Sequence, residues 1–154
     1  MKTHTLLSIL PLSLASAMAF SQSIDVQVTN LTHGIHFTPI LVSAHDDSTH
    51  LFEAGQAASS ALQAMAEGGS TTELIEASAA SVVNTNNLAS GLLAPSASTP
   101  VTDIETAENT HLSVVAMMLP TNDGFIGLDG WEIPEEAGTY TLYLNGYDAG
   151  TEVN

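Results

Sequence analysis

Short segments in which apolar and polar residues alternate recur along this chain, and they constrain its fold more than any other feature. The alternation is clear in Ile24–Asn30, Val101–Thr106 and Gly138–Asn145. A period of two residues places apolar side chains on one face of an extended strand, so each segment predicts a half-buried β-strand. Ile35–Ala44 predicts a second strand that Pro39 interrupts, as at a sheet edge or a bulge, and the apolar run His111–Leu119 predicts a buried strand. Short strands separated by turn residues are typical of an antiparallel β-sandwich.

The helical signal is confined to two short stretches, Ser59–Glu67 and Ser70–Ala80. Each begins with a serine able to cap a helix, and the first is followed by a pair of glycines. The segments Val82–Pro100 and Thr121–Gly130 are rich in turn residues and predict turns and a loop. We therefore expect an all-β fold, an antiparallel β-sandwich with two short helices in one long connection.

The charge of the chain is almost entirely negative. The chain has seventeen Asp and Glu residues but only one Lys or Arg, Lys2, and its formal net charge is −16. Phosphate binding requires Lys and Arg, so nucleic acid is excluded as a natural partner, and anionic lipid head groups are excluded for the same reason. The absence of cysteine excludes disulfides and thiolate metal sites. The natural electrostatic partners of such a chain are cations.

The first nineteen residues have the layout of a secretory signal peptide. Lys2 precedes an apolar run over Leu6–Leu14, and the small residues up to Ala19 provide a cleavage site. The apolar run is too short to cross a bilayer, which takes about 20 residues. We expect cleavage after Ala19, a single domain over residues 20–154, a secreted or periplasmic location and no membrane insertion.

Two acidic, glycine-containing loops carry the clearest chemical signal, Leu119–Gly130 and Asn145–Glu152. Each directly follows a predicted strand, so both can lie at one end of a sandwich. Calcium takes about six to eight oxygen ligands from carboxylates, carbonyls and water, which such loops supply. The spacing matches no EF-hand loop, and solvated turn residues are the alternative interpretation.

Several motifs resemble the spondin N-terminal domain in its small bacterial form, and together they span nearly all of residues 20–154. They are Val28–Pro39, Leu51–Gly55, Leu62–Gly68, Asn109–Gly127 and Tyr147–Glu152. The resemblance implies an antiparallel β-sandwich similar to a C2 domain that carries a calcium ion. Animal members of the family are secreted matrix and adhesion proteins. It therefore implies an extracellular glycan or protein as a partner, besides the divalent cation.

The resemblance also implies which residues bind the metal. The family's calcium carboxylates lie in a Pro-x-x-Asp-x-x-x-Gly loop and in a terminal Asp-Ala-Gly-Thr-acid segment. In this chain the first pattern corresponds to Asp123, and the second to Asp148 and Glu152. Animal members typically have Asp where Glu152 stands, so this ligand has a longer side chain. The expected function is an exported, calcium-binding module of the extracellular binding or adhesion type, in which the metal joins two loops, and not an enzyme.

Two other functions stay open. His45 and His50 flank an acidic loop and form a candidate zinc or copper site of a periplasmic metal-binding protein. A secreted hydrolase would need a Ser, a His and an acid brought together in space. The chain contains no Gly-x-Ser-x-Gly, Ser-x-x-Lys or His-Glu-x-x-His motif that would point to one.

Overall fold

The computed structural model describes residues 22–78, 85–87 and 91–153. The predicted signal peptide, residues 1–19, lies outside the described residues, and so does part of the predicted turn region Val82–Pro100. Within the described residues, eight strands and two helices occur. In chain order they are β1 (Gln22–Val26), β2 (His36–Phe37), β3 (Leu41–His45), α1 (Ser60–Gly68), α2 (Thr72–Ser78), β4 (Thr85–Asn87), β5 (Thr102–Ala107), β6 (His111–Leu119), β7 (Gly124–Glu132) and β8 (Asn145–Asp148).

The strands of the described residues form two antiparallel sheets. The larger sheet has six strands in the order β4-β3-β6-β7-β8, with β2 pairing with the end of β6. The smaller sheet consists of β1 and β5. Both helices lie in the connection between β3 and β4. The structure thus confirms the expected all-β, sandwich-like fold with two short helices in one long connection.

Apolar side chains pack on both faces of the six-stranded sheet. On one face, Val114 of β6 belongs to the same buried cluster as Ile104 of β5. On the other face, Val115 packs in a cluster with Met65 of α1. Since β6 is covered on both sides, its sequence is mostly apolar, with an uninterrupted apolar run from Val114 to Leu119, and shows no regular alternation of apolar and polar residues.

Helix α1 has a defined cap at each end. The Ser59 hydroxyl accepts a hydrogen bond of 3.1 Å from the Leu62 backbone N–H, as expected for an N-cap serine. At the other end, Gly69 adopts a left-handed conformation with φ of 69°, and its N–H donates to the Met65 carbonyl at 2.8 Å. In the described part of the chain, no helix is long and apolar enough to cross a membrane.

The loop predicted at Thr121–Gly130 is wrong, because β7 begins at Gly124 and continues to Glu132. Only residues 120–123 connect β6 to β7. The glycines in this stretch serve packing as well as turning. A Cβ atom on Gly127 would lie 2.5 Å from Cζ of Phe52, so this position needs glycine for the close approach of an aromatic ring.

The strand predicted at Gly138–Asn145 is also wrong except at its last residue. Residues 138–144 belong to no strand, and β8 runs from Asn145 to Asp148. The segment before it turns back on itself, since the Tyr140 hydroxyl donates to the Glu136 carbonyl at 2.7 Å. Residues 138–143 are exposed, so the alternation here marks neither an inward face nor a paired strand.

Candidate functional site

The register between β7 and β8 brings two of the three predicted calcium ligands to one end of the larger sheet. Gly124, the first residue of β7, lies opposite Asp148, the last residue of β8. Asp123 directly precedes Gly124, so both aspartates stand at the same end of the β7–β8 pair. We call the residues Asp123, Asp148 and Glu152, with the loop segments that carry them, the acidic tip.

The Asp123 carboxylate holds the C-terminal segment against the loop between β6 and β7. Its side chain is buried, with an exposed fraction of 3%. Its Oδ2 atom accepts hydrogen bonds from the backbone N–H groups of Thr151 (2.9 Å) and Glu152 (3.1 Å), and from the Thr151 hydroxyl (3.3 Å). The Asp123 carbonyl also accepts a hydrogen bond from the Ala149 N–H at 3.2 Å. This aspartate therefore fixes the position of the end of the chain.

These hydrogen bonds favour the ionised form of Asp123. The backbone N–H of Thr151, and after it that of Glu152, lower the pKa of the Asp123 carboxyl below its ordinary value, although burial acts in the opposite direction. The described hydrogen bonds to this side chain all fall on Oδ2. The Asp123 carboxyl is thus ionised near neutral pH.

Asp148 and Glu152 lie at the surface of the acidic tip. The Asp148 Oδ1 atom accepts a hydrogen bond of 2.7 Å from the Gly150 N–H, and Gly150 has a left-handed φ of 68°. Glu152 reaches Asp123 through its backbone N–H. The structure therefore brings all three predicted positions into one region, where Asp148 contributes a carboxylate and Glu152 contributes a backbone contact.

The donors at the acidic tip suit calcium in kind. Among residues 22–78, 85–87 and 91–153, no group of three or more His, Asp or Glu side chains is arranged to hold a metal ion. Calcium also binds carbonyl oxygens and water, so two carboxylates with backbone oxygens can make up its shell. The chemistry of the tip fits a hard cation, while a shell of three carboxylates is not preformed.

A second cluster of polar side chains joins β3, β6 and β7. The sequence analysis did not identify its central residue, Asp129. We call His45, His50, Ser113 and Asp129 the histidine cluster. The β6–β7 register shifts between Leu112 and Val114, so that Ser113 lies at a β-bulge. Its hydroxyl accepts a hydrogen bond from the Gly130 N–H at 2.9 Å and donates to Asp129 Oδ1 at 3.2 Å.

Asp129 anchors the segment that follows the His45–His50 loop. Its Oδ1 accepts hydrogen bonds from the backbone N–H groups of Leu51 (2.8 Å) and Phe52 (3.4 Å). Its Oδ2 lies 2.6 Å from Nδ1 of His50. The hydrogen bond to Asp129 raises the pKa of His50, and the negative charges of Asp129 and Glu53 add to this effect, whereas burial lowers it. The sequence carried no local signal for this contact, because 79 positions separate the two residues.

The geometry of the histidine cluster disfavours the zinc or copper hypothesis. His45 has no exposed surface, and both of its ring nitrogens already have partners. Its Nδ1 lies 2.7 Å from the Asp46 carbonyl and its Nε2 lies 2.7 Å from the Ser113 hydroxyl. A metal ion could bind His45 only after these contacts broke.

The hydrolase hypothesis gains little from the same cluster. The Ser113–His45 contact resembles a nucleophile and its base, but Ser113 is fully buried. Asp129 contacts the serine hydroxyl, whereas the Asp46 carbonyl contacts the second ring nitrogen of His45. In a catalytic triad the acid orients the histidine, and substrate reaches the serine. These contacts tie β3, β6 and β7 together and present no hydroxyl to a substrate.

Comparison with known protein families gives a match over most of the chain. The family profile described as Spondin_N matches residues 25–154. This match covers β2 to β8 and the last two residues of β1, and it includes the acidic tip and the histidine cluster. A search of curated proteins gives no match. The chain belongs to the spondin N-terminal domain family.

Proposed function

We propose that this chain is a non-catalytic extracellular binding module whose acidic tip binds calcium. The observation that carries this proposal is the β7–β8 register, which places Asp123 and Asp148 at one end of the sheet. Spondin N-terminal domains are typically extracellular, and the family is not known for enzymatic activity. The calcium site, the removal of residues 1–19 and the secreted or periplasmic location are parts of the proposal.

Asp123 and Asp148 are the first ligands in this proposal, and Glu152 is the third. Backbone carbonyls of the same loops and water would complete the shell. Calcium, when bound, neutralises negative charge that the chain cannot neutralise with lysine or arginine. Asp123 would keep its hydrogen bonds to Thr151 and Glu152, so the C-terminal segment stays docked beside β7. The acidic tip would thus become a rigid surface for an extracellular glycan or protein partner.

Thermal unfolding in a calcium titration tests the proposal. An extracellular calcium site has a Kd near about 1 mM, so about 10 mM calcium would add about 1.4 kcal/mol to the free energy of unfolding. For a domain of this size, that corresponds to a rise in Tm of about 4–6 °C. We expect EDTA to abolish the rise, and sodium chloride at equal ionic strength to give a smaller one.

Two variants locate the effect. Asp148→Asn removes a proposed ligand from an exposed position, and we expect the Tm to respond to calcium much less in this variant than in the wild type. Asp47→Asn makes the same charge change in an exposed loop and should respond as the wild type does. The proposal fails if calcium leaves the Tm of the wild type unchanged, or if both variants respond equally.

A further inference from the structure

An apolar groove lies between β1 and the larger sheet. Its volume is about 810 Å³, within the range of small-molecule sites. Leu112, Val114 and Ile126 of the larger sheet line one side, and Ile24 and Val26 of β1 line the other. None of the three proposed calcium ligands lines this groove. An inference about it therefore stands independently of the calcium proposal.

Exposed apolar side chains surround the mouth of the groove. The structure has seven large hydrophobic residues that are exposed among those it describes, and five of them line this groove. They are Leu31, Val101, Tyr140, Leu142 and Tyr143, the last with 78% of its surface exposed. Soluble proteins rarely gather exposed apolar residues around one cavity unless the site binds something.

Aromatic rings form part of the lining. Trp131 and Tyr140 both line the groove, and their ring centroids are 6.1 Å apart at an interplanar angle of 58°. Tyr143 adds a third ring at the exposed edge. The faces of such rings attract cations through their quadrupole, most strongly in tryptophan.

The charges of the lining have one sign. Two carboxylates line the groove, those of Asp25 and Glu136, and no Lys, Arg or His does so among the described residues. The only basic residue of the whole chain is Lys2. A fatty acid, a phospholipid or a sulfated glycan would therefore meet repulsion and find no counter-charge here.

We propose that this groove binds a hydrophobic cation, an apolar chain or ring that carries one amine or quaternary ammonium group. The apolar part would lie between the two sheets, beside Ile24 and Val114. The positive head would lie at the mouth, near the Glu136 carboxylate and the rings of Tyr140 and Trp131. An apolar interior, aromatic rings and exclusively acidic charge are together the features that select this class of ligand.

The fluorescence of Trp131 gives a direct readout, since the chain has one tryptophan. We would titrate the protein with dodecyltrimethylammonium below its micelle concentration and confirm saturable binding by calorimetry. Dodecyldimethylamine oxide and dodecanoate have the same chain length with a neutral and a negative head. We expect the cation to bind about tenfold more tightly than the amine oxide, and dodecanoate to give no saturable signal. Far-UV circular dichroism must stay constant throughout.

Matched variants separate a built site from general attraction to an acidic protein. Glu136→Gln should weaken binding of the cation about threefold, the size expected for an exposed charge pair. Glu135→Gln makes the same change at a neighbouring exposed residue that does not line the groove, and it should leave the affinity unchanged. Tyr143→Ser, at a highly exposed position, should also weaken binding while leaving the fold intact.

Several results would overturn this inference. Equal affinity for dodecanoate or for the amine oxide would show that the positive head does not matter. Equal effects of Glu135→Gln and Glu136→Gln would show that the positive head does not lie beside the Glu136 carboxylate. A dimer in light scattering that Tyr143→Ser dissociates would show that a second copy of the chain covers the groove.

Discussion

Asp129 shows how one half-buried carboxylate connects distant parts of this chain. It accepts hydrogen bonds from the His50 ring, from the Leu51 and Phe52 backbone and from the Ser113 hydroxyl. An Asp-Gly pair in sequence favours a turn, and the two residues do lie at an irregularity. That irregularity is a bulge inside β7, where Gly130 has a left-handed φ of 61°. The sequence predicted a loop over Thr121–Gly130 and not a bulge within a strand, and it carried no signal for the partners of Asp129.

The contact between His50 and Asp129 makes stability depend on pH. Since the folded state raises the pKa of His50 above about 6.5, protonated His50 stabilises the fold fully below that pH. This contribution is lost as the pH rises through the raised pKa. The His50 side chain is 43% exposed, so solvent screening limits the effect to less than about 1 kcal/mol.

Urea unfolding at pH 5.5 and pH 8.5 measures this effect, with His50→Gln as the test variant. The wild type should lose more stability between the two pH values than His50→Gln does. His33→Gln, at an exposed histidine outside the cluster, should behave as the wild type. An identical pH dependence in wild type and His50→Gln would contradict the assignment.

Ser43 offers a test of an unsatisfied buried group. It has no exposed surface, and its Oγ has no hydrogen-bond partner in the part of the chain that the structure describes. Burying a hydroxyl without a partner costs about 1–3 kcal/mol. Ser43→Ala should therefore raise the free energy of unfolding by about 1 kcal/mol in urea titrations. Ser113→Ala, which removes a hydroxyl with three contacts, should lower it, and a loss in both variants would refute this account.

Among the secondary-structure elements, a strand is predicted correctly where burial on both faces makes its sequence mostly apolar. β6 runs over His111–Leu119, as predicted, because both of its faces are buried and most of its residues are apolar. β7 was missed because its glycines suggested a loop, although Gly127 faces an aromatic ring. Residues 138–144 alternate as a strand does but lack a paired neighbour in the described part of the chain. Both predictions failed because packing between distant residues and strand pairing decide the structure there, and a local sequence pattern shows neither of these.

The packing over β7 makes Gly127 the residue least tolerant of a side chain in this element. Phe52 lies over it and packs edge-on against Phe125 at 5.1 Å and Tyr147 at 4.9 Å between ring centroids. Gly127→Ala should push the Phe52 ring out of this cluster and cost about 1–3 kcal/mol. Gly146→Ala is the matched control, because its nearest neighbour is Met118 Cε at an ordinary 3.5 Å. Equal stability of the two variants in urea unfolding would contradict the packing described here.

For the whole molecule, unbalanced negative charge is the main electrostatic factor that opposes a compact folded state. A formal net charge of −16 with one basic residue leaves no surface network of salt bridges, and self-repulsion opposes compaction. The charge was readable from the sequence, and so was the motif pair of the acidic tip. The meeting of Asp123 and Asp148 required the β7–β8 register, which composition does not encode.

One cross-strand pair makes this repulsion measurable. Asp25 of β1 lies opposite Asp103 of β5, and like charges in that arrangement destabilise a sheet by up to about 1 kcal/mol. Asp103→Asn should therefore stabilise the protein at about 10 mM salt, and the gain should shrink at about 1 M, where the screening length is about 3 Å. Asp47→Asn, in an exposed loop, should give a smaller gain at low salt. A gain for Asp103→Asn that is independent of salt would contradict an electrostatic origin.

A crystal structure grown in calcium would show whether the acidic tip binds the ion, because it reports the ligands and their distances together. We expect one ion at the acidic tip, with carboxylate oxygens of Asp123 and Asp148 about 2.3–2.6 Å from it and about six to eight oxygen ligands in all. A well-ordered tip without an ion at saturating calcium, with Asp123 still bonded to Thr151 and Glu152 and Asp148 directed elsewhere, would contradict it.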